Sequence, residues 1–318
     1  MTIDSLLKSA KSAYKGDRAN LVCETLLAHF LGKERVFLHA SGDKKIQDIL
    51  DSIISMPSLR ERIIDSHEAI HKNQMDCHDS ANAESRNDKN LLSESALQSK
   101  LLQSISLLNN DYPLEYITKK ASFYGMDFFI NEGALIPRPE TELLVDKATQ
   151  LIATHNIQKI YEIGVGSGII AITLCLLNPR IHITATDISP TALQIAQKNI
   201  ALKSALDSTL KKRIRLIHAD LLQGVDFTPK DSLIISNPPY IAEDYTLPKN
   251  VAFEPKIALF GGKKGDEILR KIIALNADFL CCEIGHNQGY LAEFLGAYRS
   301  VEFYKDYAGF ARGFVANR

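Results

Sequence analysis

Apolar positions recur with helical spacing through roughly the first 65 residues. Leu21, Leu26, Leu27, Phe30 and Leu31 share a face there, and Gly32 follows as a stop. From about residue 67 to 90 the pattern lapses. The stretch 75–90 is dominated by Asn, Asp, Ser and charged residues, which predicts an exposed loop or a partly disordered insertion. Helical spacing returns over 91–108. Residues 116–118 and 121–130 are aromatic and β-branched with Gly125 as punctuation, which predicts strands and a hairpin. The segment Ile136-Pro137-Arg138-Pro139-Glu140 then stiffens the chain, and Pro139 or Glu140 can open a helix over the residues that follow.

Beyond that point the pattern alternates. Strand-like runs at 157–164, 180–188, 213–220, 231–240 and 278–285 are interleaved with helical runs at 168–177 and 189–202, and a further strand-like tail closes the chain. Ser189 suits an N-cap with Pro190 at the first helical position. Alternation of this kind predicts an α/β fold with a mainly parallel sheet, helices on both faces, and a ligand beyond the carboxyl ends of the strands.

The bulk properties narrow the class. A chain of 318 residues favours two domains. Its 37 basic and 38 acidic residues give a net charge of −1, which argues against a broadly basic nucleic-acid-wrapping surface. No apolar run approaches the roughly 18 residues that span a bilayer. Residues 1–15 lack the apolar core of a signal peptide, which predicts a cytoplasmic protein. Cys23, Cys77, Cys175, Cys281 and Cys282 are scattered and odd in number, unlike a disulfide framework. Cys281 and Cys282 are neighbours in an apolar strand-like run and should point to opposite faces as small buried hydrophobes.

Two constellations carry chemistry. The first is Glu162-Ile163-Gly164-Val165-Gly166-Ser167-Gly168, at a strand end and opening a helix. Glycines there let the backbone turn sharply and approach a ligand. Ile169 stands where a nicotinamide fingerprint needs glycine, and the Lys-Ser/Thr end of a phosphate-binding loop is missing. A GxGxG turn preceded by an acidic residue suits a cofactor without a pyrophosphate, and S-adenosyl-L-methionine is such a cofactor. Asp187 ends the next strand, where a carboxylate can accept both ribose hydroxyls; a helix cap is the plainer alternative. Asp220 and Leu221 end the third strand, beside the expected adenine. Glu162 either orders the loop or touches the cofactor.

The second is Asn237-Pro238-Pro239-Tyr240, after an apolar strand. A proline pair can be simply a stiff strand terminator, but that leaves the flanking Asn and Tyr unexplained. An amide or aromatic amine nitrogen has a delocalised lone pair and must be held by both N–H groups while it is aimed at the methyl donor. The Asn237 side-chain oxygen can accept one N–H and the Pro238 carbonyl the other, the prolines preorganise both acceptors, and Tyr240 can pack against a planar group. Such positioning is worth roughly 7–11 kcal/mol of barrier.

The chain resembles the HemK-type protein-(glutamine-N5) methyltransferases. The resemblance runs from Asp17 to Arg318 apart from the polar stretch near 67–100. It rests on PLEYIT (113–118), FYGMDFFI (123–130), LIPRPETELLVDKA (135–148), EIGVGSG (162–168), NPPY (237–240), FEP (253–255), CEIGHNQG (282–289) and KDYAGFARGF (305–314). It implies a Rossmann-like seven-stranded S-adenosylmethionine-dependent methyltransferase domain over 133–318. A β-hairpin linker over 111–132 and a helical N-terminal substrate-docking domain over 1–110, with a polar insertion at about 67–95, would precede it. The implied reaction is methylation of the glutamine in the Gly-Gly-Gln motif of class 1 peptide chain release factors, with no direct nucleic-acid or membrane partner. By position, Gly164, Val165, Gly166, Ser167, Gly168, Asp187, Leu221 and Asn237 would line the cofactor. Asn237, Pro238, Pro239 and Tyr240 would hold the glutamine and form the catalytic set. Phe123 and the Pro137-Arg138-Pro139 loop would lie near the cofactor or the substrate entrance, Arg138 alternatively as a structural ion-pair partner. Lys119-Lys120, Ser122 and Leu221 depart from the family pattern.

Rival readings remain at this level. His67-Glu68-Ala69-Ile70-His71 matches a zinc-protease pattern, with Cys77 and His78 nearby, but it abuts the polar insertion and has no third ligand in view, so no metal is expected. The Asn-Pro-Pro-Tyr sequence also serves DNA adenine-N6 methyltransferases. A ribosomal-protein glutamine is a further substrate alternative, and a non-catalytic binding module a further class.

Overall fold

The computed structural model describes residues 1–54 and 93–318. The His67–His71 pattern, Cys77, His78 and most of the polar insertion lie outside the described residues. The chain divides into two compact units, Met1–Thr118 and Lys119–Arg318.

The described part of the first unit is helical: α1 (Ile3–Ala13), α2 (Ala19–Phe30), α3 (Arg35–His39), α4 (Ile46–Ile54), α5 (Glu94–Leu108) and α6 (Leu114–Thr118). Ile3, Leu6, Leu7 and Ala10 of α1 pack with Leu26, Leu27 and Phe30 of α2 and with Leu97, Leu101 and Ile105 of α5. Ser93 caps α5 by accepting the Ala96 N–H, which fixes where that helix starts. Residues 116–118 are helical, not a strand. Pro113 presets the backbone for a helix start, its carbonyl accepts the Ile117 N–H, and Thr118 Oγ1 donates back to the Leu114 carbonyl. These local bonds override the β-propensity of Tyr116, Ile117 and Thr118.

The second unit opens with a hairpin of β1 (Lys120–Phe123) and β2 (Met126–Phe129), paired antiparallel. Tyr124 and Gly125 both have left-handed φ (52° and 70°), the conformation of a two-residue turn that matches strand twist. After α7 (Thr141–His155) come β3 (Lys159–Ile163), α8 (Ile169–Leu177), β4 (His182–Asp187), α9 (Pro190–Lys203), the short α10 (Leu210–Arg213), β5 (Ile214–His218) and β6 (Ser232–Ser236). The chain ends with α11 (Glu267–Ala274), β7 (Phe279–Glu283), β8 (Ser300–Lys305) and β9 (Ala311–Asn317). The seven-stranded sheet has the order β5-β4-β3-β6-β7-β9-β8. Strands β3 to β7 are parallel, whereas β9 runs antiparallel to β7 and to β8. The α/β expectation, with a mainly parallel sheet of seven strands, is met. Cys281 belongs to the core on one face of the sheet and Cys282 to the core on the other, as their neighbouring positions in a strand require.

Asn199 of α9 joins the hairpin to the sheet. It is fully buried. Its Oδ1 accepts the Phe129 N–H at 2.7 Å, and its Nδ2 donates to the carbonyls of Phe129 (2.9 Å) and Ser167 (2.8 Å). Truncation strands three backbone groups at once. Asn199→Ala should lower stability by about 2–3 kcal/mol. A shift of under about 0.5 kcal/mol in urea unfolding would show that water replaces these bonds.

Candidate active site

The strand order reverses between β3 and β6, so the crevice of the sheet opens at their carboxyl ends. The loop after β3 is the glycine turn, and the loop after β6 is Asn237-Pro238-Pro239-Tyr240. Ser236 Oγ donates to the Ile163 carbonyl at 2.7 Å and fastens the two strand ends together.

The glycine turn is wound by its own backbone. The N–H groups of Gly164 and Val165 both donate to the Thr186 carbonyl at 2.9 Å. Gly164 (φ 75°) and Gly166 (φ 54°) are left-handed, a conformation that side chains resist. The Gly166 N–H donates to Asp187 Oδ2 at 2.9 Å, and the Ser189 N–H donates to Asp187 Oδ1 at 2.8 Å. Asp187 therefore ties the turn to the start of α9. Burial raises its carboxyl above the usual range, against the pull of the Ser189, Gly166 and Ile188 N–H groups.

A cleft forms between these loops. It is lined by Gly164, Val165, Gly166, Ser167, Asp187, Asp220, Leu221, Asn237, Pro238 and Pro239, with Pro137, Arg138 and Thr141 on another side. Four residues expected near the cofactor or substrate, Phe123, Pro139, Gly168 and Tyr240, do not line it. Gly168 caps α8, where an added Cβ would lie 3.2 Å from that of Ala196, so it serves helix packing. Phe123 is buried in the core, edge-to-face with Phe128. Tyr240 packs against the opposite core and turns its hydroxyl to Glu283 Oε1 at 3.3 Å. Glu162 lies beneath the turn, fully buried and outside the cleft lining. Burial holds its carboxyl well above the usual range, with the Ala171 N–H opposing.

Arg138 ion-pairs with the buried carboxylate of Glu254, which also accepts the Ile136 N–H at 2.9 Å. The FEP and IPRP segments are thereby locked together. Four further residues support the tetrapeptide. Asn237 Nδ2 donates to Thr141 Oγ1 at 3.0 Å, and Thr141 Oγ1 donates to Glu283 Oε2 at 2.8 Å. Gln288 Nε2 donates to the Tyr240 carbonyl at 3.2 Å. Gly261 approaches so closely that a Cβ there would sit 2.3 Å from the Pro239 carbonyl oxygen. The sequence held one signal for this support, since Glu283 is a lone charge at the end of an apolar run and such charges are rarely buried without partners.

Residues 141–252 match the Methyltransferase small domain family. The release factor glutamine methyltransferase of Moorella thermoacetica is 37% identical over 228 residues, 68% of this chain and 78% of that protein. The chain belongs to the release factor glutamine methyltransferase family. The namesake enzyme of Koribacter versatilis is 40% identical over a shorter span, 50% of this chain and 56% of its own length. Among solved structures, the catalytic domain of human METTL16 aligns with a TM-score of 0.48 at 17% identity, over 70% of this chain and 81% of that one.

Family membership makes the protein a methyltransferase with S-adenosylmethionine as methyl donor. The cleft suits that cofactor. Among the described residues Arg138 is the one basic residue in its lining, and Glu254 already neutralises it. A pyrophosphate would find no free counter-charge there. A nucleoside sulfonium without phosphate instead meets glycine backbone, apolar walls and the carboxylates of Asp187 and Asp220.

Proposed function

We propose that this enzyme methylates the side-chain amide nitrogen, N5, of the glutamine in the Gly-Gly-Gln motif of class 1 peptide chain release factors, and so tunes translation termination. The observation that carries this reading is the polarity of Asn237. Its Nδ2 is committed to Thr141, so Oδ1 is the group it offers to the cleft. An amide oxygen held in that way accepts an N–H.

In this reading the Asn237 oxygen and the Pro238 carbonyl receive the two N–H groups of the glutamine amide. The ring of Tyr240, pinned by Glu283, keeps the tetrapeptide in place from behind. S-adenosylmethionine supplies the activated methyl group. The glycine turn, Asp187 and Leu221 hold the donor, with Asp187 as ribose acceptor and Leu221 against the adenine. No general base is needed before transfer, because the methylated nitrogen becomes acidic and releases its proton. The helical unit serves as the docking platform for the release factor. The reaction belongs to the cytoplasm, where termination occurs. No described helix is long and apolar enough to cross a membrane.

The test is methyl transfer from labelled S-adenosylmethionine to a release factor, a ribosomal protein and DNA, side by side. The release factor should be labelled, and replacement of the Gln of Gly-Gly-Gln should abolish the signal. Equal labelling of that variant removes the substrate assignment. Preferential labelling of the ribosomal protein or of DNA adenine transfers it to one of those targets.

A further inference from the structure

Asn237 can receive a substrate N–H only while its amide keeps one of two nearly isosteric orientations. The side chain itself does not choose between them, because Oδ1 and Nδ2 differ little in size. The choice is made by what stands behind it. Thr141, the first residue of α7, is buried between Asn237 and Glu283, and Glu283 is the last residue of β7. The chain of bonds runs Asn237 Nδ2 to Thr141 Oγ1 (3.0 Å), Thr141 Oγ1 to Glu283 Oε2 (2.8 Å), and Tyr240 hydroxyl to Glu283 Oε1 (3.3 Å). A single buried carboxylate thus contacts both ends of the tetrapeptide, through Thr141 at one end and directly at the other.

We propose that Glu283 is a positioning residue that sets the orientation of the Asn237 amide by fixing which way the Thr141 hydroxyl points. The inference rests on the reading that Asn237 Oδ1 receives the substrate amide. An ionised carboxylate accepts hydrogen bonds and donates none. Thr141 must therefore spend its one proton on Glu283. Its oxygen can then only accept from the side that faces Asn237, so Asn237 must present Nδ2 to it and Oδ1 to the cleft. The flipped amide would set two acceptors against each other in a buried site, which is costly. A protonated Glu283 removes the constraint. The carboxyl can then donate to Thr141, the hydroxyl can turn its proton to Asn237, and the amide can flip to show Nδ2 to the substrate. Two sets of N–H groups would then face one another.

The protonation of Glu283 falls where this matters. Burial pushes its carboxyl up to about 7, with Glu140 adding to the rise and the Thr141 and Tyr240 hydrogen bonds and the Arg312 charge opposing it. The groups that face it are Glu140 and Thr141 at the start of α7, Tyr240 on the tetrapeptide, Arg312 on β9, and the buried hydroxyl of Tyr304 on β8. The carboxylate form, which orders the amide, prevails above pH 7 and is lost below it. Turnover should therefore rise with pH along a limb centred near 7.

Two experiments test the proposal. In the first, turnover at saturating S-adenosylmethionine is followed from pH 5.5 to 9 for the wild type, Thr141→Val, Thr141→Ser and Glu283→Gln. Thr141→Val should lose about tenfold in kcat at pH 8 while the KM for the protein substrate moves far less, and it should lose the limb near pH 7. Thr141→Ser should recover most of the turnover and the limb. Glu283→Gln, which has no proton to exchange, should show a flat profile. Wild-type turnover in Thr141→Val, or an unchanged limb in both Thr141→Val and Glu283→Gln, overturns the proposal. The second experiment needs no substrate. In nitrogen-15-labelled protein, the Asn237 side-chain amide signal, assigned by its loss in Asn237→Ala, should move with a midpoint near pH 7 in the wild type and stay fixed in Thr141→Val. A wild-type signal that is silent between pH 6 and 8 also overturns it. If the signal titrates but the release factor is not labelled, the substrate reading fails and the positioning role of Glu283 stands.

Discussion

Replacing Asn237 with alanine should lower turnover on the order of 100-fold or more, the scale seen when one preorganised hydrogen-bonding group is removed from a reacting centre. Cofactor affinity should change only a few-fold. The asymmetry follows from the geometry. Asn237 is a single residue of the cleft lining, whereas the contacts expected to carry cofactor affinity come from the glycine turn and Asp187. What the alanine removes is the oxygen proposed to orient the substrate nitrogen, an interaction needed most when the lone pair must point at the methyl group. The loss should therefore appear in kcat and in kcat/KM together. The fold should tolerate the change, because Ser236 still fastens β6 to β3 and Gln288 still holds the Tyr240 carbonyl. Single-turnover methylation beside calorimetric binding of S-adenosylmethionine separates the two effects. Turnover within about threefold of wild type would remove Asn237 from the positioning role, since one preorganised hydrogen bond at a reacting centre is worth on the order of 100-fold or more.

How much of this site was legible in the chain depends on sequence distance. The glycine turn and Asp187 could be read because each ends a strand whose alternation with helices is local. The strand order then brings the ends of β3, β4 and β6 to one edge. The acceptor role proposed for the Asn-Pro-Pro-Tyr segment rests on residue chemistry that the chain itself displays. Its support could not. Asn237 meets Thr141 across 96 positions, and Thr141 meets Glu283 across 142. No periodicity encodes such pairings, and Thr141 taken alone looks like an ordinary helix-opening residue. Tyr240 shows the same dependence on distance, because its hydroxyl meets Glu283 across 43 positions while its aromatic ring is all the sequence displays. Local competition explains the helix at 114–118, where the proline start and the threonine back-bond outweigh β-branching. Arg138 had two open readings, and the buried carboxylate of Glu254 makes it an ion-pair partner within the cleft wall.

Replacing Asp187 with alanine should weaken S-adenosylmethionine binding by about 100-fold while leaving turnover at saturating cofactor much closer to wild type, the reverse of the pattern expected for Asn237. The estimate follows from the two jobs proposed for one carboxylate. Hydrogen bonds to a charged acceptor contribute roughly 1.5–3 kcal/mol each, and about 2.7 kcal/mol corresponds to 100-fold in a dissociation constant. The ribose hydroxyls would supply two such bonds. In the protein itself the same carboxylate holds the Gly166 and Ser189 N–H groups at 2.9 and 2.8 Å. Its loss should also loosen the glycine turn, which adds an ordering cost to binding. Asp187→Asn separates the contributions. The amide oxygen can keep one backbone N–H, but its NH2 group faces the other as a donor and cannot accept from a ribose hydroxyl. If Asp187 acts only as a turn-ordering cap, the loss of affinity should track the loss of thermal stability across both variants. If it also holds the ribose, Asp187→Asn should bind far more weakly than its stability implies. A dissociation constant within about threefold of wild type in the alanine variant would leave the ribose without this partner, because no pair of charged hydrogen bonds is that weak.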